Sequence, residues 1–387
     1  MSSATPQTSS EPSQLQALFT ACEEQDIHAA TILLKNNLKD QNKIDPVTDD
    51  IVRAQDKKTG KSALMIAAST GNVKLIQMLL QNGAVWNAVD RQNKCAGNYA
   101  SDGGVTHQAA CDVLLRHAVQ CELLLGAAGS STNSDTDTDT NTNKNTNQSD
   151  TSKLNLNEHG GYLDRQVEYS EDGNKLIDAA GDGVMMEWER PIMSVHAQII
   201  CSATSTTAAE SNNTKRILNV GFGMGIIDTI LQADHKPSLH VIIEAHPTVY
   251  EKMVRDGWTT KPNVRVCFGK WQDELPKLIE EGIQFDGVFF DTYGEHWSDM
   301  EEFHQMLTRS LVKPHGIYSF FNGLSPDNIF FHGVACECAR IQMAQLGLNA
   351  EFAPCEVKVD DSAWEGVTRK YWFGDTYYLP ICTWDAR

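Results

Sequence analysis

The pattern of hydrophobic and polar positions changes along the chain. Residues 14–126 carry apolar side chains at intervals of three and four, which is typical of short amphipathic helices. From residue 154 onward, short β-type apolar runs alternate with helical segments, and this alternation predicts a parallel sheet flanked by helices. We therefore predict an α/β, doubly wound, Rossmann-like domain preceded by a small all-α domain.

The helical part contains an internal repeat. Residues 60–90 read GKSALMIAASTGNVKLIQMLLQNGAVWNAVD and predict two helices on either side of a turn at Gly71. A degraded second copy begins 33 positions after Gly60, and residues 18–36 align with 64–82 as a third copy. The pattern closely resembles the ankyrin repeat, whose period is about 33 residues. Three copies offer a small concave face, so the module is either a protein-binding surface or packing support for the next domain.

Two segments have compositions that cannot offset the entropy of an ordered chain. Residues 1–13 are rich in Ser, Thr, Pro and Gln, and residues 127–153 contain almost no apolar side chain. We therefore predict a disordered N-terminus at 1–13, ankyrin-like repeats at 14–126, a low-complexity linker at 127–153 and the α/β domain at 154–387.

A glycine-rich turn follows a strong predicted strand of the α/β domain. Residues 216–244 read RILNVGFGMGIIDTILQADHKPSLHVIIE, with Gly221, Gly223 and Gly225 between a strand and a helix. Glycine has no Cβ, so a ligand can rest on the backbone at the strand's end. Glu244 ends the next strand about 20 residues later, where a nucleotide-binding βαβ unit places its ribose-binding carboxylate. The alternative is an ordinary acid at a strand end.

The turn favours S-adenosylmethionine over a nicotinamide dinucleotide. Its spacing departs from G-x-G-x-x-G, and Met224 adds an apolar side chain suited to a sulfonium or adenine. Trp271 and Asp291 follow the third and fourth strands, and ligands of open α/β sheets bind outside the carboxyl ends of strands. We therefore expect both residues to meet Glu244 in one crevice. The alternatives are a core-packed Trp271 and a helix-capping Asp291.

Charge and cysteine usage narrow the partners. The chain has 51 acids against 32 bases, for a net charge of −19, which disfavours nucleic acid and anionic membranes and favours a cationic ligand. Ten scattered cysteines form no C-x-x-C pair and fit reduced thiols; Cys336 and Cys338 face different sides of a predicted helix and would make a poor zinc pair. Without a signal layout or membrane-spanning run, we expect a protein of the cytoplasm and nucleus. We also expect a monomer that holds no metal.

Six motifs in unbroken order, within a stretch from residue 162 to the C-terminus, resemble guanidinoacetate methyltransferase. They are more closely similar to the ankyrin-bearing type IV protein arginine methyltransferases, the arginine N-methyltransferase 2 family, of fungi and other eukaryotes. The motifs are VMMEWERPIM (184–193), LNVGFGMGI (218–226), IIEAH (242–246), GKWQD (269–273), FDGVFFDTYGEHW (285–297) and HGIYSFFNG (315–323).

This resemblance implies a site for S-adenosylmethionine and for an arginine side chain. Carboxylates matching Glu189 and Asp291 would hold the guanidino group. The cofactor would be held at positions matching Tyr169 (or instead Tyr162), Met193, Phe222, Gly223, Met224, Gly225, Ile226, Ile227, Glu244, Ala245, His246, Trp271, Gln272 and Asp291. A guanidinium is charged and its lone pairs are delocalised, so its nitrogens are poor nucleophiles. Two carboxylates could clamp it bidentately, and one of them could take its proton.

Three functions remain in view. The first is methylation of the internal (δ) nitrogen of arginine in proteins, with ribosomal proteins as the substrates that the resemblance implies. The second is methylation of guanidinoacetate or another small guanidine, and the third is an ankyrin adaptor with an inert methyltransferase-like domain. Intact Glu189, Glu244 and Asp291 argue against the third. The ankyrin-like array, and the run Phe321-Asn322-Gly323-Leu324 in place of residues that bind a free amino acid, favour the first over the second.

Overall fold

The computed structural model describes residues 13–40, 50–130, 161–203, 215–293, 297–312 and 314–385. The predicted disordered N-terminus, except Ser13, and the predicted linker beyond residue 130 lie outside the described residues. The chain divides into two compact units. The first comprises the residues before 138 together with Asn328–Cys338. The second comprises the residues from 138 to 327 and those from Ala339 onward.

The first unit is a stack of helix pairs. Its helices are α1 (Gln14–Glu23), α2 (Ile27–Asp40), α3 (Ala63–Ser69), α4 (Val73–Gln81), α5 (Ala96–Asp102) and α6 (Gln108–Ser130). Each odd-numbered helix contacts the next even-numbered one, and successive pairs pack through α1, α3 and α5 on one layer and α2, α4 and α6 on the other. This is the repeat architecture that the 33-residue period predicts. Helix α6 continues four residues into the segment predicted as linker.

Polar side chains define where these helices begin. The Ser62 hydroxyl accepts a hydrogen bond from Met65 N at the start of α3, and the Asn72 side chain accepts one from Leu75 N at the start of α4. The segment Asn328–Cys338 also belongs to this unit, although its place in the sequence suggested the α/β domain. Asn328 donates to the carbonyl of Asn93 at 2.9 Å and so joins the repeat that begins at residue 93.

The second unit is an α/β domain with two sheets. Its strands are β1 (Val167–Tyr169), β2 (Lys175–Asp178), β3 (Gly183–Met186), β4 (Arg216–Val220), β5 (Leu239–Glu244), β6 (Val264–Phe268), β7 (Gly287–Phe290), β8 (Ile317–Phe320), β9 (Leu348–Glu356) and β10 (Thr376–Trp384). Its helices are α7 (Arg190–Cys201), α8 (Ile226–Ile230), α9 (Pro247–Arg255), α10 (Trp271–Glu280), α11 (Trp297–Ser310) and the part of α12 (Ile329–Gln345) from Ala339 onward.

The larger sheet has seven strands in the order β6-β5-β4-β7-β8-β10-β9. Strands β4 to β8 are parallel, and β10 runs antiparallel to both β8 and β9. The chain therefore winds outward from β4 in both directions, which confirms the doubly wound, Rossmann-like prediction. The strand order reverses between β4 and β7, so ligands are expected outside the carboxyl ends of these two strands.

The central strands are buried on both faces. Along β4, Ile217 packs in the apolar cluster on one face, whereas Leu218 and Val220 pack in the cluster on the other. Strand β5 repeats this alternation with Ile242 against Val241 and Ile243. Side chains of successive strand residues point to opposite faces, so these nearly continuous apolar runs are those of a sheet covered by helices on both sides.

The smaller sheet, β1-β2-β3, is antiparallel and leads into α7. Helix α7 begins at Arg190 after a single 3₁₀ turn over Glu187–Glu189. Pro191 lies in its first turn, where proline's fixed φ is suitable and no backbone N–H is needed. Among the described residues, no helix is both long and apolar enough to cross a membrane.

Candidate active site

A cavity of about 490 Å³ lies at the carboxyl ends of the parallel strands. Its wall is built by the residues that follow β4, β5, β6 and β7, together with residues before β1 and on β3. They are Gly161–Asp164, Val184, Met185, Val220, Gly221, Gly223, Ile243, Glu244, Ala245, Val249, Gly269, Lys270, Trp271, Gln272, Asp291, Thr292 and Tyr293. The cavity therefore occupies the crevice that the strand order predicts.

The glycine turn presents its backbone to this cavity. Gly221 has φ +93°, and a Cβ there would lie 1.9 Å from the carbonyl oxygen of Asp291. Only glycine fits, since both the conformation and the space exclude a side chain. The Tyr169 hydroxyl donates to the Gly223 carbonyl at 2.8 Å, and Met224 N lies 3.2 Å from the sulfur of Met185. The turn is thus held from β1, β3 and β7.

Glu244 is fixed at the end of β5 by backbone donors. Its Oε2 accepts from Phe222 N at 2.8 Å and from Gly223 N at 3.4 Å, and its Oε1 accepts from His246 N at 2.7 Å. Burial raises the pKa of this carboxyl, and the backbone donors oppose that rise. A carboxylate has about four lone-pair directions, so capacity remains for a hydroxyl of a bound ligand.

Trp271 is both a cavity residue and a core residue. It begins α10 and lines the cavity, but its ring is only 3% exposed and packs edge-on against Phe303, with ring centroids 5.3 Å apart. A second edge contact joins it to Phe290 at 6.2 Å. The ring is therefore anchored by aromatic packing, as the core interpretation expects, and it also borders the cavity.

Two carboxyl groups interact with each other, one on the cavity wall and one buried off it. Asp291 follows β7 and lines the cavity, and its Oδ2 has no hydrogen-bond partner among the described residues. Burial, with the charge of buried Asp228, raises the pKa of Asp291. Glu189 is 3% exposed, and burial together with the charge of Asp291 raises its pKa. The two groups are thus close enough to interact electrostatically.

Glu189 is held by one of its oxygens. Oε1 accepts from Met186 N at 2.8 Å and from the Tyr371 hydroxyl at 2.5 Å, whereas Oε2 has no such bond within the described ranges. Tyr371 comes from the segment between β9 and β10, and sequence reasoning missed it. Contacts between residues 182 positions apart leave no local signal in the sequence.

The structure brings six of the predicted residues to the cavity wall: Gly223, Glu244, Ala245, Trp271, Gln272 and Asp291. The remaining predicted residues do not line it. The apolar cluster behind the turn buries four of them, Met193, Phe222, Ile226 and Ile227, and Met224 also packs there. Gly225 caps α8 and His246 caps α9. The Tyr169 hydroxyl bonds to the Gly223 carbonyl, and Glu189 lies beside Asp291. The wall also contains Tyr162, the alternative to Tyr169, and Met185, which the VMMEWERPIM motif contains but which we did not single out.

Among the described residues, no group of three or more His, Cys, Asp or Glu side chains is arranged to hold a metal ion. All ten cysteines are free thiols.

Comparison with known proteins gives two family matches and a set of relatives. The guanidinoacetate N-methyltransferase family matches residues 158–337, and the ankyrin repeat family (3 copies) matches residues 4–90. A protein named protein arginine N-methyltransferase 2 from Yarrowia lipolytica is 42% identical over 57% of this chain and 46% of its own length. The chain thus spans about half the length of that relative.

Two further relatives carry the same name and match over most of both chains. The protein from Candida glabrata is 34% identical over 79% of this chain and 77% of its own, and the protein from Aspergillus fumigatus is 30% identical over 95% and 96%. Among solved structures, precorrin-6y C5,15-methyltransferase from Geobacter metallireducens is similar at a TM-score of 0.35 and 14% identity, covering 50% of this chain and 88% of its own. On the identity and coverage of the named relatives, the chain belongs to the protein arginine N-methyltransferase 2 family.

Proposed function

We propose that this protein transfers a methyl group from S-adenosylmethionine to an arginine side chain of a protein substrate. The observation that carries the proposal is the position of Asp291. It lines the cavity beside the glycine turn, and it also interacts through its charge with Glu189, which is buried beyond the cavity wall. The Asp291 carboxyl group therefore borders the cavity and also interacts with a second acid, Glu189, which is buried.

The cavity suits S-adenosylmethionine. Gly221 leaves backbone accessible where a Cβ would collide with Asp291, and Glu244 offers acceptor capacity for ribose hydroxyls. Val184, Met185, Val220 and Ile243 give apolar wall for a purine, next to Trp271. When bound, the cofactor supplies an electrophilic methyl group on a sulfonium.

The acid pair suits a guanidinium. Burial raises the pKa of both carboxyl groups, so an entering cation would restore their charged forms and give Asp291 Oδ2 the donor it lacks. Arginine presents donors in a planar fork that matches carboxylate oxygens. Ionic pairing with Glu189 and Asp291 would orient the group and localise its positive charge, and one carboxylate would accept the proton that the attacking nitrogen loses.

The finer proposal concerns which nitrogen and which substrate. We propose the internal (δ) nitrogen, since two carboxylates can engage the two terminal nitrogens and leave the internal one without an ionic partner. The resemblance to type IV enzymes supports this choice and points to ribosomal proteins as substrates. We also propose a monomer of the cytoplasm and nucleus, with the ankyrin unit available for protein contacts.

A second candidate is methylation of a small guanidine such as guanidinoacetate. The match of residues 158–337 to the guanidinoacetate N-methyltransferase family favours it. The ankyrin unit, which a small substrate does not require, favours a protein substrate.

The test is methylation of a protein extract by the purified full-length chain with isotopically labelled S-adenosylmethionine, run in parallel with guanidinoacetate. Mass spectrometry of the digested products, with fragmentation, locates the label on the δ nitrogen or on a terminal nitrogen of arginine. We expect label on the δ nitrogen of protein arginine. Label on guanidinoacetate but on no protein would overturn the proposal in favour of the second candidate, and label on a terminal nitrogen would overturn only the finer part.

A further inference from the structure

The segment between β9 and β10 packs against the small antiparallel sheet. Thr368 N donates to the carbonyl of Gly181 at 2.8 Å, and the Thr368 hydroxyl donates to the carbonyl of Ala180 at 3.0 Å. Arg369 pairs with Asp182 at 3.2 Å, and the Lys175 ammonium donates to a carbonyl of the segment. Residues 365–371 are therefore bound to the β2–β3 turn, which leads directly to Glu189.

The segment lies outside the part of the chain that matches the guanidinoacetate N-methyltransferase family, residues 158–337. It nevertheless delivers a polar atom to the candidate active site. The Tyr371 hydroxyl donates to Glu189 Oε1, the same oxygen that accepts from Met186 N. Both bonds hold one edge of the carboxylate, and this arrangement leaves Oε2 as the acceptor for a ligand.

Packing holds the Tyr371 ring independently of its hydroxyl. The ring lies edge-on to Trp364 with centroids 5.0 Å apart and is tilted against Trp188 at 5.6 Å. A Cβ at Gly183 would lie 3.0 Å from the edge of the same ring, so β3 also contacts it closely. Replacing this tyrosine by phenylalanine therefore removes the donor and preserves the packing.

We propose that Tyr371 is a positioning residue of the arginine-methylating site, fixing the Glu189 carboxylate through Oε1 so that Oε2 meets the guanidinium. This inference rests on the proposed function and assigns to it a residue outside the matched family region. The hydroxyl also acts on the ionisation of Glu189, because its hydrogen bond lowers the pKa of that carboxyl against the opposing effect of burial. Loss of the donor should therefore raise the pKa of Glu189 further. The other titratable groups that interact with Glu189 are Asp291 and Tyr377.

The first measurement is the kinetics of Tyr371→Phe on an arginine-containing protein substrate. We expect kcat to fall about tenfold or more, because a hydrogen bond to a charged group is lost where the substrate is oriented. The KM for the protein and the affinity for S-adenosylmethionine should stay within about twofold, and the acidic limb of the kcat profile should move to higher pH. The matched control is Tyr250→Phe. Tyr250 lies on α9, its ring stacks on Phe268 with centroids 4.4 Å apart, and its hydroxyl makes no hydrogen bond within the described residues. Unchanged kcat and pH profile in Tyr371→Phe, or the same losses in both variants, would overturn the proposal.

The second measurement needs no activity. Enzyme labelled with ¹³C at glutamate side-chain carboxyls is titrated by NMR, and the Glu189 signal is assigned by its absence in Glu189→Gln. We expect the titration midpoint of Glu189 to lie at higher pH in Tyr371→Phe than in wild type. The melting temperature of the variant should stay within a few degrees of the wild-type value. An identical midpoint in the two proteins would contradict the positioning role. If wild-type enzyme methylates neither protein nor guanidinoacetate, the proposed function fails, whereas the titration still decides whether Tyr371 controls Glu189.

Discussion

The carbonyl oxygen of Asp291 lies 1.9 Å from the point that a Cβ on Gly221 would occupy. The turn after β4 and the acid after β7 are thus in direct backbone contact. The cofactor-type cavity and the acid pair share this contact, so a change at residue 221 should disturb both.

We predict that Gly221→Ala lowers cofactor affinity at least tenfold and destabilises the fold by about 2–3 kcal/mol, because it combines a strained φ with a collision against backbone. Isothermal titration with S-adenosylmethionine and thermal unfolding measure the two effects. Gly282→Ala is the matched control, since its φ is also positive at +73° and its Cβ would meet nothing within 4 Å. That control should lose about 1 kcal/mol of stability and keep its affinity. Equal behaviour of the two variants would show that the contact with Asp291 is unimportant.

A second prediction separates two tyrosines near the cavity. Tyr162 lines the cavity, whereas Tyr169 only supports the turn through its bond to the Gly223 carbonyl. Tyr162→Leu should therefore weaken S-adenosylmethionine binding at least tenfold. Tyr169→Phe should weaken it only about two- to tenfold, the value of a single neutral hydrogen bond. Titration calorimetry ranks the two, and a larger loss in Tyr169→Phe would mean that the cofactor contacts Tyr169 itself.

A third prediction follows from the raised pKa of Glu189. A carboxyl whose pKa is higher in the folded than in the unfolded protein makes a stabilising contribution at low pH. That contribution is lost as pH rises from the unfolded pKa, about 4.3, through the folded pKa. Glu189→Gln removes this loss. The stability of the variant relative to wild type should therefore increase by on the order of 1–3 kcal/mol when the pH is raised from 5 to 8. Chemical denaturation at both pH values measures the gain.

The control for this pH effect is Glu187→Gln. Glu187 is two residues away but only partly buried, and it pairs with Arg190. Its substitution should change stability by less than about 0.5 kcal/mol at either pH. A constant difference between Glu189→Gln and wild type at pH 5 and pH 8 would contradict the raised pKa.

A fourth prediction concerns the network behind β8. The Tyr377 hydroxyl accepts from Asn322 N at 2.7 Å and bonds to the buried His196 ring at 2.9 Å. Burial lowers the pKa of His196 to about 3, so this ring is neutral and needs that partner. Tyr377→Phe leaves buried polar groups unpaired and should cost about 1–3 kcal/mol of stability by denaturant unfolding. A cost below about 0.5 kcal/mol would mean that water replaces the hydroxyl.

Much of the fold could be predicted because its signals are local. The apolar runs of β4 and β5, the glycines between them and the acid at residue 244 are adjacent in sequence, and the parallel topology then places Trp271 and Asp291 at the same edge. Local patterns could not separate cavity from core within the turn. Phe222 and Ile226 are buried behind it because the turn directs its backbone, rather than these side chains, to the cavity.

The features that could not be predicted from the sequence depend on contacts between residues far apart along the chain. The Tyr371–Glu189 bond joins residues 182 positions apart, and Asn328 joins the helical repeats across more than 200 positions. The periodicity of either segment does not identify the residue that it contacts, because side-chain spacing indicates which face is buried and not what covers that face.

We infer that the cavity binds the cofactor while Glu189 and Asp291 hold the arginine. The most direct test compares methyl transfer to protein arginine with calorimetric binding of S-adenosylmethionine in Glu189→Gln, using Glu187→Gln as the control. We predict that Glu189→Gln loses transfer by at least a hundredfold and keeps cofactor affinity within about twofold, because Glu189 lies off the cavity wall. Transfer at the wild-type rate, or loss of cofactor binding together with transfer, would contradict it.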